Sequence, residues 1–168
     1  MPPESRKESN THRFLSLKVK EGDQFPNFKL MDHLGDQFIL HEQQDKKYRV
    51  LYFYPKDETP GCTRQACYFR DYSNVYEKYG CEIIGVSSDN QKSHEKFIQN
   101  YDLPFRLLSD DKSKLRKELG IPKDFFGLAP GRVTFLLNAK HEILFIFRSA
   151  LNMKSHITSV LNFLDQNK

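Results

Sequence analysis

The sequence predicts an α/β protein, a central mixed sheet flanked by helices. Three observations carry that reading. Short apolar runs of strand length recur along the chain ("VLYFY", "CEIIGVSS", "RVTFLL", "EILFIF"), segments of helical period lie between them, and turn or cap residues mark the joins. The 168 residues, 19.8 kDa, suffice for one domain with its own core, and 38% hydrophobic with 13% aromatic content is globular rather than disordered.

Residues 1–17 are polar and are expected to form a flexible arm, with the folded domain running from 18 to 168. This start has no apolar stretch of the secretory-signal kind, and Glu4 and Glu8 are unlike an acid-poor transit peptide. "FKLMDHLGDQFIL" reads as two short strands about a Leu34-Gly35-Asp36 turn, and residues 50–54 as a strand buried on both faces that Pro55 ends. From Cys62 the period becomes helical through Ala66, Phe69, Tyr72, Val75, Tyr76 and Tyr79, and Gly80 stops the helix. "CEIIGVSS" is the next buried strand. "SHEKFIQNY" follows as a helix with Ser93 as its N-cap, and "SKLRKELGIP" as another, ended by Gly120 and Pro122. "RVTFLL" and "EILFIF" form a hairpin through "NAKH", and Asn152 caps a last helix with Met153, Ile157, Val160, Leu161 and Leu164 on one face. This order suits a thioredoxin-like core with inserted elements.

Charge and composition exclude several functions. The net charge of +4 comes from 26 basic and 22 acidic residues spread along the chain. Arg6-Lys7, Lys46-Lys47 and the cluster Lys112, Lys114, Arg116 and Lys117 sit among acids, so they are expected on a solvated surface rather than against nucleic acid. No apolar run reaches the ~20 residues of a membrane span. The six histidines are isolated in sequence, no second ligand pair follows the cysteines, and no glycine-rich phosphate loop is present, so no metal and no cofactor are expected. Three cysteines without a secretory signal point to a reducing compartment, the cytoplasm.

Chemistry concentrates in "YPKDETPGCTRQACYFRD". Cys62 follows a loop and opens a helix, where unpaired N–H groups and the macrodipole favour a thiolate over a thiol. The Pro60-Gly61 turn before it argues for an accessible sulfur. Cys67 lies five residues on, a step that in a regular helix rotates by about 500° and leaves the Cα atoms about 8.7 Å apart. A disulfide needs less than ~7 Å, so this pair either never meets or meets when the helix start unwinds. A dithiol of that kind is a poor staple and a reasonable redox switch.

"YPKDETPGCT" resembles the P-x-x-x-T-x-x-C signature of peroxiredoxins, filled by Pro55, Thr59 and Cys62. Cys67, with "IIGVSSDNQKSHEKF", "YDLPFRLLSDD" and "FGLAPGRVTFLL", is similar to the peroxiredoxin Q (bacterioferritin comigratory protein) subfamily. The resemblance runs from about Lys18 to the end. It implies a thioredoxin fold and a thiol-dependent peroxidase that reduces hydrogen peroxide and organic hydroperoxides. Cys62 then corresponds to the peroxidatic cysteine and Cys67 to the resolving one, joined as a disulfide that thioredoxin reduces. Thr59 and Arg132 correspond to the polar pair around the peroxide, and Pro55 to the residue shielding the thiolate. Cys81 is extra and is expected to be a structural thiol. Internal resolution removes the need for a second subunit, so a monomer or at most a weak homodimer is expected. Phe125, Phe126 and Leu128 suit an apolar rim, core packing or a dimer face. Rival readings are a protein thiol–disulfide oxidoreductase and a peroxide sensor.

Overall fold

The computed structural model describes residues 17–168, so the expected arm lies outside the described residues apart from Leu17. The strands are β1 (Lys29–Asp32), β2 (Gln37–Ile39), β3 (Tyr48–Phe53), β4 (Cys81–Ser87), β5 (Arg106–Ser109), β6 (Lys123–Asp124), β7 (Ala129–Pro130), β8 (Val133–Asn138) and β9 (Ile143–Arg148). The helices are α1 (Pro60–Asp71), α2 (Ser73–Lys78), α3 (Gln91–Tyr101), α4 (Lys114–Leu119) and α5 (Met153–Gln166). Seven strands form one mixed sheet in the order β2-β1-β5-β4-β3-β8-β9, and β6 with β7 makes a separate ladder.

Strand β3 is central because nearly all of it is apolar, so it can be covered on both faces. Val50, Tyr52 and Tyr54 pack with Ala66, Phe69, Phe97, Ile157 and Val160 of α1, α3 and α5. Leu51 and Phe53 pack on the other face with Leu115 and Leu119 of α4 and with Phe25, Phe38 and Phe135. Its neighbours are β4, parallel, and β8, antiparallel, with Phe53 opposite both Val86 and Val133. Hence the chain leaving β3 and the chain entering β8 meet at one edge of the sheet.

Two expectations about elements are corrected, and one strand was not foreseen. The helix after Cys62 is two helices, broken at Tyr72 (φ −98°, ψ 5°) within the run Asp71-Tyr72-Ser73-Asn74, whose polar members favour turns and caps over helix interiors. Beyond the break, the buried Tyr76 hydroxyl donates to the Ile157 carbonyl at 2.8 Å. The N-cap of α3 is Asn90, whose side chain accepts from the Ser93 N–H, while the Ser93 hydroxyl is used elsewhere. Strand β5 was hidden because "RLLS" has only two buried residues, and pairing with β4 and β1 makes it a strand.

Gly85 shows how tightly the sheet packs beneath α1. The Tyr52 ring stacks on Phe69 at 4.5 Å between centroids. A Cβ on Gly85 would stand 2.7 Å from Leu107 Cδ2 and 2.9 Å from the Tyr52 ring. Gly85→Ala is therefore expected to cost about 1–3 kcal/mol of stability, seen as a lowered urea midpoint at unchanged m-value.

Candidate active site

Helix α1 begins two residues before Cys62. Thr59 is its N-cap, Pro60 fills the first helical position, where no N–H is needed, and Cys62 is third. The first helical bond closes from Thr63 N–H to the Thr59 carbonyl at 2.8 Å, so the N–H groups before it point out of the helix start. No acidic side chain lies in the first turn to neutralise that end. The Thr59 hydroxyl does not cap the helix; it donates to the Lys56 carbonyl at 2.8 Å, leaving its lone pairs free to accept.

The expectation of an accessible sulfur is overturned. Cys62 is only 1% exposed, because the third helical position turns it toward the core cluster of Tyr52, Ala66 and Phe69. Cys67 is half-buried on the same unbroken helix, and both thiols are free. Cys81 is buried where β4 starts, opposite Tyr48, about 17 Å of strand from the Cys62 end of β3, and burial pushes its thiol well up. It is too far to serve Cys62 and behaves as a packed thiol.

Arg132 reaches this edge because it precedes β8, and it is buried at 7% exposure. Its Nη1 donates to Gln65 Oε1 at 2.9 Å, and among the described residues no carboxylate lies within 4.0 Å of it. A Cβ on Gly61 would sit 2.8 Å from Arg132 Nη2, so the guanidinium lies against the backbone immediately before Cys62. Pro55 is half-buried at the head of the loop. Pro55, Thr59, Cys62 and Arg132 are thus delivered by the end of β3, the start of α1 and the start of β8.

Sequence reasoning missed three contributors. Gln65 holds Arg132, and its place at i+3 from Cys62, the same helix face, was the available signal. The second is a buried brace under the loop. Asp57 accepts from the Tyr54 hydroxyl (2.6 Å) and the Ser93 hydroxyl (2.8 Å), meets His94 Nδ1 (2.7 Å), and its N–H donates to Asp89 (2.8 Å). His94 Nε2 donates to the Leu108 carbonyl at 3.1 Å. One ligand-type atom from each of Asp57, Asp89 and His94 lies within 4.8 Å of the others, but these side chains already serve one another as a hydrogen-bonded brace. The third is Arg116, expected in solvent with its basic neighbours but 8% exposed, because Leu115, Arg116 and Leu119 share one buried face of α4. The histidines are not isolated in space either: His41 and His141 stack at 5.1 Å, and His156 lies between Thr134 and Ser149. Phe125, Phe126 and Leu128 are exposed at the tip of the β6–β7 hairpin, which rules out core packing for them.

Comparison with known proteins agrees with this geometry. A helix-borne cysteine at the carboxyl end of a central strand, in a sheet of this order, defines a thioredoxin-like thiol protein. Residues 21–146 match the AhpC/TSA family. Peroxiredoxin Q of Triticum aestivum, named as chloroplastic, is 43% identical over 98% of this chain and 75% of its own length. The crystal structure of peroxidoxin BcpB from Mycobacterium tuberculosis superposes with a TM-score of 0.81 at 28% identity, covering 89% of this chain and 99% of that one. The bacterioferritin comigratory protein of Xanthomonas campestris, described for its alkyl peroxide reduction activity, gives 0.74 at 31% identity, covering 83% and 91%. The chain belongs to the AhpC/TSA family and, within it, to the peroxiredoxin Q and bacterioferritin comigratory protein branch; it is a thiol-dependent peroxidase.

Two outcomes test the site's construction. Gly61→Ala should push Arg132 off the helix start and slow oxidation of the thiol about 10- to 100-fold in stopped flow with little loss of stability. His156 is fully buried, with Nδ1 accepting from Thr134 and Nε2–H donating to Ser149, both at 2.8 Å. Burial lowers it from 6.5 to about 4, with the nearby Arg132 acting the same way. A folded value below the unfolded one means that stability present above pH 6.5 is lost as the pH falls toward 4. The loss should approach about 3 kcal/mol in urea titrations and be absent from a folded His156→Gln protein.

Proposed function

We propose that Cys62 is the peroxidatic cysteine, that Cys67 resolves it, and that Pro55, Thr59 and Arg132 form the peroxide site. The observation that carries this reading is the Arg132 guanidinium, with no carboxylate partner among the described residues, packed against Gly61 beside the first turn that holds Cys62. The Cys62 thiolate attacks one oxygen of a hydroperoxide, the S–O bond forms as the O–O bond breaks, and the departing alkoxide or hydroxide takes a proton to leave as alcohol or water. The Arg132 guanidinium steadies the charge growing on the leaving oxygen. Thr59, whose own proton is spent on Lys56, accepts the hydroperoxide O–H and so orients the bond.

The resulting Cys62 sulfenic acid condenses with the Cys67 thiol, forming the disulfide and releasing water. With both residues on α1, that step requires the first turns to unwind. A dithiol protein, thioredoxin, then returns both cysteines to thiols and leaves as its own disulfide. Hydrogen peroxide and organic hydroperoxides are both substrates in this reading, and the exposed Phe125, Phe126 and Leu128 suit the larger ones. The whole cycle runs within one subunit, so residues 18–168 work as one domain and as a monomer. The reading places the chain in the cytoplasm, whose reducing chemistry keeps such thiols cycling. No helix among the described residues is long and apolar enough to cross a membrane.

Cys62→Ser should abolish peroxide consumption. Cys67→Ser should complete one turnover and then lose recycling by thioredoxin; sustained thioredoxin-coupled turnover would overturn its role. Far-UV circular dichroism should lose helical signal when the Cys62–Cys67 disulfide forms and regain it on reduction. Unchanged spectra with the disulfide mapped by mass spectrometry would refute the unwinding.

A further inference from the structure

Arg116 is a buried cation to which the reaction above assigns no task. Lys112, Lys114 and Lys117 around it are exposed, while Arg116 turns inward, its guanidinium 5.9 Å from the centre of the Phe53 ring. Its Nη2 donates to the Tyr54 carbonyl at 3.1 Å, and its Nη1 to the Gly131 carbonyl at 2.5 Å. Tyr54 immediately precedes Pro55, and Gly131 immediately precedes Arg132. One planar group therefore fastens the two segments that deliver the peroxide site, which lie far apart in sequence.

The surroundings hold this fork in place. Asp110 accepts from the N–H groups of Leu115 (2.8 Å) and Arg116 (3.0 Å), fixing the start of α4. A Cβ on Gly131 would fall 2.0 Å from the Pro122 carbonyl, so the strand leading to Arg132 lies directly against the chain leaving α4. Among the described residues no carboxylate comes within 4.0 Å of the Arg116 guanidinium. Asp110 and Asp124 act on it only at longer range, and the Cys62 sulfur and the Arg132 guanidinium are also within electrostatic reach. Burial lowers its pKa to about 10, which leaves it charged at neutral pH.

A buried guanidinium answered by two carbonyls and an aromatic ring, with no carboxylate at contact distance among the described residues, is costly to desolvate, and an apolar side chain would fill the space at less cost. What only a rigid fork supplies is a fixed separation between two backbone segments. We propose that Arg116 is a positioning residue for the peroxide reaction: it sets the spacing between the Pro55–Thr59 loop and Arg132, and through Arg132 the rate at which Cys62 is oxidised. The inference rests on the roles of Cys62 and Arg132 proposed above. A lysine keeps the charge but cannot span both carbonyls, so Arg116→Lys isolates the spacing.

The test is a double-mutant cycle on single-turnover oxidation of Cys62 by hydrogen peroxide, beside alkylation of the same thiol by iodoacetamide, which needs no oriented oxygen. Arg116→Lys should slow peroxide oxidation about tenfold in the wild-type background and less than twofold in an Arg132→Lys background, with alkylation changed less than threefold. A rate within twofold of wild type, an equal loss in both backgrounds, or an equal loss in alkylation overturns the proposal. If Arg116→Lys does not fold by circular dichroism, Arg116→Gln is judged by the same criteria, and failure of both to fold also overturns it. Wild-type Cys62 reacting with peroxide no faster than free cysteine would instead refute the underlying roles, so the two failures are distinguishable.

Discussion

The antiparallel register of β3 against β8 is the constraint on which the site depends. With Phe53 opposite Val133, the loop that leaves β3 and the arginine that enters β8 emerge side by side. A slip of one residue would turn every side chain of the strand to the opposite face and carry Arg132 away from the start of α1. The register is secured by burial on both faces, since Leu51, Phe53 and Phe135 must enter one core and Val50, Tyr52 and Leu136 the other. The geometry of the reacting groups is therefore underwritten by the hydrophobic pattern of two strands.

On that frame the charges are distributed unevenly. Arg132 and Arg116 are buried with no carboxylate at contact distance among the described residues, held by a side-chain amide and two backbone carbonyls. The nearby acids are committed elsewhere: Asp57 and Asp89 brace the loop, and Asp110 starts α4. Positive potential is thus left over beside the Cys62 sulfur, and the proposed peroxide step draws on it.

In the proposed cycle helix α1 has two opposed duties: it holds Cys62 in its first turn for the peroxide step and releases it for Cys67. Its construction suits that compromise: its N-cap side chain makes no capping bond, it breaks at Tyr72, and its first turn is tied in by Arg132 and Gln65 rather than by a capping box. The loop before it is instead anchored to α3 through Asp57, Ser93 and His94, contacts that do not involve the helix start.

By itself the sequence determined the α/β class and the extent of most strands and helices, and it singled out Pro55, Thr59, Cys62, Cys67 and Arg132 as the candidate site, because apolar period, caps and a spaced motif are local signals. The weak strand β5, the break at Tyr72, the burial of Cys62 and Arg116, and the pairings of Gln65 with Arg132 and of Asp57 with His94 were decided by tertiary structure. Each of these depends on what lies opposite a residue in space. A basic residue among lysines reads as surface until the helix face it shares with Leu115 and Leu119 is packed against a sheet, and a sulfur behind Pro60-Gly61 reads as open until the first helical turn faces it inward.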